Sequence, residues 1–246
     1  MPLISRSKSA GAKGGHPLRR LRHFLIGLAL TCVILVSLIG ISGVVMPVSL
    51  ITRNTDLSPA VIAVYGSIRS GKADLKGGYQ LEWHSSAGVL WLPHLRTEFV
   101  LEGADSRVTG TLRTGLRGIK ARDVAGRAGP GLAQLVEGAW LCDMTARLSD
   151  VNFGWYWRSA QASGLVSTPQ GTCSKDGRQI TVPSLTLVLG QVERDASLVL
   201  TGAQEAALAT VRVRRERRID IEILPAAADV FPQLPRGGPI NLQLPF

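Results

Sequence analysis

The chain has 246 residues with a formal net charge of +10, and its aromatic content is only 5%, so aliphatic side chains must build most of any core. The charge is unevenly placed. Residues 1–22 hold Arg6, Lys8, Lys13, Arg19, Arg20 and Arg22 without one acid, so +6 sits in a short tail, which excludes reading the basic pI as a nucleic-acid footprint.

After the tail comes a segment without charge from Phe24 to Thr52, whose core is Phe24 to Val45. Twenty-two helical residues rise roughly 33 Å, about the thickness of a bilayer's hydrocarbon layer. Residues 23–46 therefore read as a transmembrane signal anchor. Arginines precede it and Arg53 follows, which puts the N-terminus in the cytoplasm and the C-terminus outside. A cleaved signal peptide is the rival, with Gly40, Ser42 and Gly43 as a poor cleavage site, but the apolar run exceeds the roughly 7–15 residues such peptides carry. Residues 47–59, bounded by prolines, read as a linker. Residues 60–246 remain as an exported domain, large enough for one real core.

In that domain strand-like segments follow one another between glycine-rich turns. Ala60 to Tyr65 is a short apolar run and Tyr79 to Trp83 a strand. Ser106 to Arg113 alternates, with Val108 and Leu112 on one face. Ala139 to Leu148 places Trp140, Cys142, Met144, Ala146 and Leu148 together, and Val151 to Arg158 does the same for Val151, Phe153, Trp155 and Trp157. Leu185 to Gly190, Ser197 to Thr201, Val211 to Arg215 and Ile219 to Leu224 complete the series. Period-two alternation predicts a mainly β domain, a curved and mostly antiparallel sheet with one buried and one wet face. Only Gly131 to Gly138 and Ala226 to Phe231 suggest short helices. The lack of alternating strands and helices excludes a doubly wound nucleotide-binding fold.

Two cysteines, Cys142 and Cys173, lie in the exported part, where an oxidising compartment permits a disulfide; two thiols are the alternative. They fit no zinc pattern. Cys32 falls within the span. Gly66 to Ala73, GSIRSGKA, matches the first seven positions of a phosphate loop, but Ala73 stands where a magnesium-binding hydroxyl is needed, and the following residues read as turn and strand rather than helix. Lys72 and Arg69 are expected in a solvated turn. His16, His23, His84 and His94 lack ligand spacing, and no nucleophile has a recognisable base. The reading is thus of a chain without catalytic residues, metal or cofactor. The run Arg212, Arg214, Arg215, Arg217, Arg218 reads as the outer face of two strands joined at Glu216, or as a patch for an acidic partner or anionic headgroups. Trp140, Phe153, Trp155 and Trp157 are expected in the core.

The segment YGSIRSGKADLKGGYQLEW, Tyr65 to Trp83, resembles the opening of the type II secretion system protein N family. There a glycine-small-aliphatic step, a glycine-basic-alanine step and a strand ending in tryptophan follow the anchor. Gly190 to Ala203, the β pair Val211 to Leu224, Leu224 to Leu234 and a last strand near Ile240 to Leu244 fit the same pattern, so the resemblance covers about residues 45–246. It implies a single-pass inner-membrane protein of a Gram-negative cell, an accessory component of the machine that exports folded periplasmic proteins. Its partners would be other secretion-system membrane components and the inner membrane, with no nucleic acid and no small-molecule substrate. The cysteine pair is not part of the resemblance. A second architecture suits the alternation too: an AsmA-like lipid-handling bridge protein, whose anchor precedes a long curved sheet with an apolar inner face.

Overall fold

The computed structural model describes residues 59–88, 94–136, 140–157 and 159–245. The tail, the anchor and all but the last residue of the linker lie outside the described residues, as do Cys32, His16, His23 and Arg158. Among the described residues, no helix is long and apolar enough to cross a membrane.

The described chain is mainly β. Its strands are β1 Val61–Gly66, β2 Ser70–Leu75, β3 Tyr79–Gly88, β4 His94–Glu102, β5 Arg107–Gly115, β6 Gly118–Ala128, β7 Leu141–Cys142, β8 Ala146–Tyr156, β9 Ser159–Thr168, β10 Gly171–Lys175, β11 Arg178–Val182, β12 Leu185–Val192, β13 Asp195–Thr201, β14 Ala207–Arg214, β15 Arg218–Ile223 and β16 Ile240–Pro245. Thirteen of them form one sheet whose spatial order follows chain order, every neighbouring pair antiparallel. β7, β10 and β11 leave this meander and make a separate small sheet in the order β11-β10-β7. Among the described residues, helical structure is limited to 3-10 turns at Lys76–Gly78 and Pro130–Leu135 and one α-helical turn, α1, at Ala227–Val230. The last two fall where the sequence suggests short helices.

Directly paired residues share a face, and following the pairs across the sheet exposes its logic. One row runs Val64, Ala73, Leu81, Leu101, Val108, Gly126, Leu148, Val166, Leu187, Leu200, Ala209, Ile223, Ile240, one residue from each of the thirteen strands. No polar side chain interrupts it. At about 4.8 Å between strands its contour is roughly 58 Å. The next row on the same face carries Trp83, Phe99, Val124, Val151, Leu189, Leu198, Val211, Ile221 and Leu242. The opposite face is charged: Lys72 pairs with Glu82, Arg96 with Arg113, Arg113 with Lys120, Arg107 with Arg127 and Arg212 with Asp220.

The tightest packing lies where β9 bends. Gly164 (φ 120°) and the irregular pairing between Ser149 and Asn152 turn the first half of β9 away from β12. The amide of Ala160 then donates to the carbonyl of Arg194, at the β12–β13 turn, over 2.8 Å. Ala160 and Ala196 are completely buried and, with Ala162, Leu189 and Val213, form a cluster onto which Phe153, Trp155 and Ile219 pack. Small side chains permit this close approach. Elsewhere the apolar face is mostly half-buried, and among the described residues no large side chain is fully buried.

Three local expectations need correction. Ala139 to Leu148 is not one strand. Leu141–Cys142 pairs in the small sheet and Ala146–Leu148 in the main sheet, separated by a bend at Asp143, whose carboxylate accepts the Thr172 amide at 2.6 Å. The main-sheet strand starts at Ala146 and runs through Asp150 (φ 49°) to Tyr156, with a bulge where the sequence suggested a break. Trp157 is not core; it follows the end of β8 and is 84% exposed. Lys72 lies within β2, not in a turn.

Candidate interaction surface

The hairpin that resembles a phosphate loop is built around a tryptophan. Gly66 closes β1 at φ 93°, Gly71 sits opposite Trp83, and a Cβ on Gly71 would come within 2.2 Å of the Trp83 ring. The Trp83 indole donates to the Ser67 carbonyl at 3.0 Å. Lys72 reaches Glu82 across the strands at 3.1 Å on the charged face. The glycines and the tryptophan of this motif thus share a packing role, and the lysine is held by a carboxylate.

A second polar node ties β3 to the start of the Pro130–Leu135 turn. Tyr79, only 3% exposed, donates its hydroxyl to the Asp105 carboxylate. That carboxylate also accepts from the Ser106 hydroxyl at 2.7 Å and the Gly131 amide at 2.8 Å, while Ser106 Oγ accepts the Gly129 amide at 2.7 Å. Burial and the facing carboxylate raise the Tyr79 phenol above its ordinary pKa. The donated Tyr79 hydrogen bond holds Asp105 below the usual carboxylate value. Every member is satisfied locally, so the node is structural.

The strand ends Gly115, Gly118, Tyr156, Arg214 and Arg218 gather at one end of the sheet. There the structure divides the five arginines that the sequence offers either as the outer face of two strands joined at Glu216 or as one patch. Arg212, Arg214 and Arg218 lie on the charged face, where Arg214 is ion-paired with Asp220. Arg215 and Arg217 occupy the β14–β15 turn with Glu216, which Arg215 holds at 2.7 Å. This pairing lowers the pKa of Glu216 and raises that of Arg215. Arg217 (φ 61°) lies 6.0 Å from the centroid of the Trp155 ring, at the outer limit of a cation–π contact. Beside it, Gly118, Ile119, Tyr156 and Trp157 line a cleft of about 510 Å³ with Trp155, Arg215 and Arg217. Leu116 and Ile119 are 65% and 54% exposed, and the amide of Trp157 donates to the carbonyl of Arg117.

The charged face behind this end carries cations that the sequence reading missed. β4, β5 and β6 bring Arg96, Arg113 and Lys120 into one row. Burial lowers the Lys120 pKa first, and repulsion from Arg122 and Arg113 lowers it further. Their coincidence depends on strand pairing, so no local spacing could have signalled it.

Cys142 and Cys173 are register partners in the small sheet, Cα atoms 4.0 Å apart, and form a disulfide. His84 faces Ser70 and Glu98, and His94 faces Gly88 and Gly115, so the two do not meet. Among the described residues, no group of three or more His, Cys, Asp or Glu could hold a metal ion. Comparison with protein-family models, with curated proteins and with solved structures finds no match to this chain.

Proposed function

We propose that this chain is an accessory inner-membrane component of a type II secretion system. It is anchored by its N-terminal span and works in the periplasm by protein association rather than catalysis. The observation that carries the reading is the exposed end of the sheet. Leu116, Ile119 and Trp157 stand among Arg117, Arg215 and Arg217. Aromatic residues and arginine are enriched where proteins bind each other, and the largest energetic contributions come from such residues. The resemblance of Tyr65 to Trp83, and of the later segments, to the protein N family supplies the partners: other membrane components of the same machine.

The test is secretion itself. In cells carrying the chain, deletion of the exported domain should leave a folded cargo in the periplasm. The double variant Trp157→Ala, Arg217→Ala should reproduce part of that loss while the domain keeps its β-sheet spectrum. Normal secretion in the deletion strain would overturn the proposal.

A second reading, a lipid-handling protein of the AsmA-like kind, is favoured by the thirteen-strand apolar row, whose members are mostly half-buried. Phospholipid retained in stoichiometric amount after purification, together with normal secretion in the deletion strain, would decide for it.

A further inference from the structure

Some cations of the charged face are neutralised by this chain and some are not. Lys72, Arg96, Arg107 and Arg214 have carboxylate partners in Glu82, Glu98, Glu102 and Asp220. Arg113, Lys120 and Arg122 are half-buried and, among the described residues, have none. Arg113 and Lys120 face each other directly across β5 and β6, and Arg122 lies two residues along β6 from Lys120. Like charges in direct register repel. The Arg113 Nε is also buried without an acceptor, which adds desolvation to the repulsion. Two acids lie close in register and do not compensate the cluster. Glu98 is held by Arg96 at 3.0 Å, and Lys120 feels Asp123 less than it feels Arg122 or Arg113.

An open space lies against these cations. His94, Gly115, Gly118 and Tyr156 pair in turn across β4, β5, β6 and β8. That row spans three strand spacings, about 14 Å. Its two middle positions carry no side chain, so bare backbone separates the His94 and Tyr156 rings. Gly118 (φ 147°) admits no other residue, because a Cβ there would come within 2.1 Å of the Trp155 carbonyl oxygen. Gly154, the register partner of Lys120, gives the Tyr156 ring room beside the lysine: a Cβ there would stand 3.1 Å from the ring and 3.4 Å from Lys120 Cγ. The result is a cavity of about 280 Å³, lined by Arg113, Lys120 and Arg122 and by Arg117 from the β5–β6 turn. Among the described residues no carboxylate lines it, and residues 89–93, which connect β3 to β4, contain no acid.

We propose that this cavity binds a phosphomonoester or free phosphate, its oxygens shared by the Arg113 and Arg117 guanidiniums and the Lys120 ammonium, with Arg122 adding charge. A guanidinium matches phosphate oxygens in pairs, and an ammonium meets them as a point charge. A carboxylate would bring one charge and two oxygens to this cluster, whereas a phosphomonoester brings up to about two charges and three outer oxygens. The volume falls just below the roughly 300–1,000 Å³ of drug-sized sites, so the ligand is a phosphate with a small substituent and not a nucleotide. The inference rests on neither functional reading above. The apolar row occupies the opposite face, and Trp157, Arg215 and Arg217 line a different cleft.

The test uses the full chain purified in a non-ionic sugar detergent, in salt of about 0.15 M, which screens exposed charges. Amine acylation by acetic anhydride, read by peptide mass spectrometry, follows Lys120, with the exposed Lys76 as internal reference. Inorganic phosphate and glycerol 3-phosphate should protect Lys120 saturably and leave Lys76 unchanged, while acetate should protect neither. Dihexanoyl phosphatidic acid distinguishes the sources. Protection at lower concentration than glycerol 3-phosphate assigns the site to a lipid headgroup; protection at equal or higher concentration assigns it to a soluble phosphate. Arg113→Gln should weaken binding at least about tenfold, the loss of one charge-assisted hydrogen bond. Lys120→Gln, followed by calorimetry, should show a similar loss. Arg127→Gln makes the same charge change on β6 outside the cavity and should bind like the unaltered protein. Arg113→Gln should also unfold at no lower temperature than the unaltered protein, because it removes a repulsion. A lower temperature would mean that the cluster is compensated within the chain and would overturn the proposal. Absent or unsaturable protection of Lys120 overturns it too, as does undiminished protection in Arg113→Gln. Hexaglutamate protecting as well as phosphate overturns it in favour of an acidic protein segment.

Discussion

Removing the disulfide should detach the small sheet and leave the large one in place. β7 contributes only two residues, Leu141 and Cys142, paired with Ser174 and Cys173. Two residue pairs cannot hold a segment against the entropy of closing the connection between them. The bridge closes a loop with a sequence separation of 31, which in the chain-entropy treatment is worth about 3.7 kcal/mol. Without it β10 and β11 form a two-stranded hairpin, which is marginal in water. The double variant Cys142→Ser, Cys173→Ser should therefore speed amide exchange in residues 171–182, by up to roughly 400-fold if the full entropic term is lost. Exchange in β12–β15 should stay unchanged, because their partners all lie within the main sheet. Hydrogen exchange followed by mass spectrometry, with circular dichroism as a check on total β content, measures both. Equal protection of Cys173 to Ile180 in the bridged and bridge-free proteins would refute the reasoning, since the hairpin would then be held by its packing alone.

Tyr79→Phe should lower stability by about 1.5–3 kcal/mol in urea denaturation, because it deletes a hydrogen bond to a charged, part-buried carboxylate. The pH dependence of the native protein carries the same signature. Asp105 titrates lower when folded, so its contribution is present above its ordinary value of 3.8 and disappears as pH falls through the depressed one; Tyr79 titrates higher, so its contribution is complete below 10.0 and disappears as pH rises through the raised value. Asp105→Asn should flatten the acid limb, and an unaltered limb would count against this assignment. Lys72→Ala should cost less than about 1 kcal/mol and leave secretion intact, since its ion pair with Glu82 is largely exposed; loss of secretion with the fold preserved would restore a functional role to the glycine-rich hairpin.

The antiparallel one-sided sheet was legible because Val108, Leu112, Ile219, Ile221 and Ile223 alternate cleanly with polar residues. Residues 118–128 and 159–168 were not legible as strands. GIKARDVAGRA and SAQASGLVST are built from Ala, Gly, Ser and Arg, which carry little β preference. Their small size has a tertiary cause. Ala160 and Ala162 pack against Ala196 at the bend, and Gly126 and Gly164 take positive φ within bulged pairings. Trp157 was misread by extending the alternation of Phe153 and Trp155 one step past the end of β8. The sequence offered the disulfide as one of two readings of Cys142 and Cys173, and their register pairing in the small sheet decides for it, whereas the row of Arg96, Arg113 and Lys120 exists only through pairing of strands distant in sequence.

The apolar row poses a question of layers. A sheet with one apolar face ordinarily buries it against a second layer. Among the described residues the main sheet covers itself only where β9 bends over the β12–β13 turn; the small sheet and the Phe231 to Leu234 segment add one further wall, around a cavity. The rest of a roughly 58 Å row stays half-buried. None of the row's thirteen residues is exposed, but a continuous, partly accessible apolar face of this length is the kind of surface that interaction sites use. The cover must be long, apolar and indifferent to sequence detail, because the row offers Val, Leu, Ile and Ala with no polar side chain to fix a register. A folded protein surface seldom meets those terms over thirteen strands, whereas hydrocarbon chains do. The surface proposed here for protein association lies instead at the strand ends, at Trp157, Arg215 and Arg217. Association at the ends and hydrocarbon along the face are therefore compatible roles for one sheet, separable by substituting Trp157 and Arg217 in one experiment and Leu187→Asp in another.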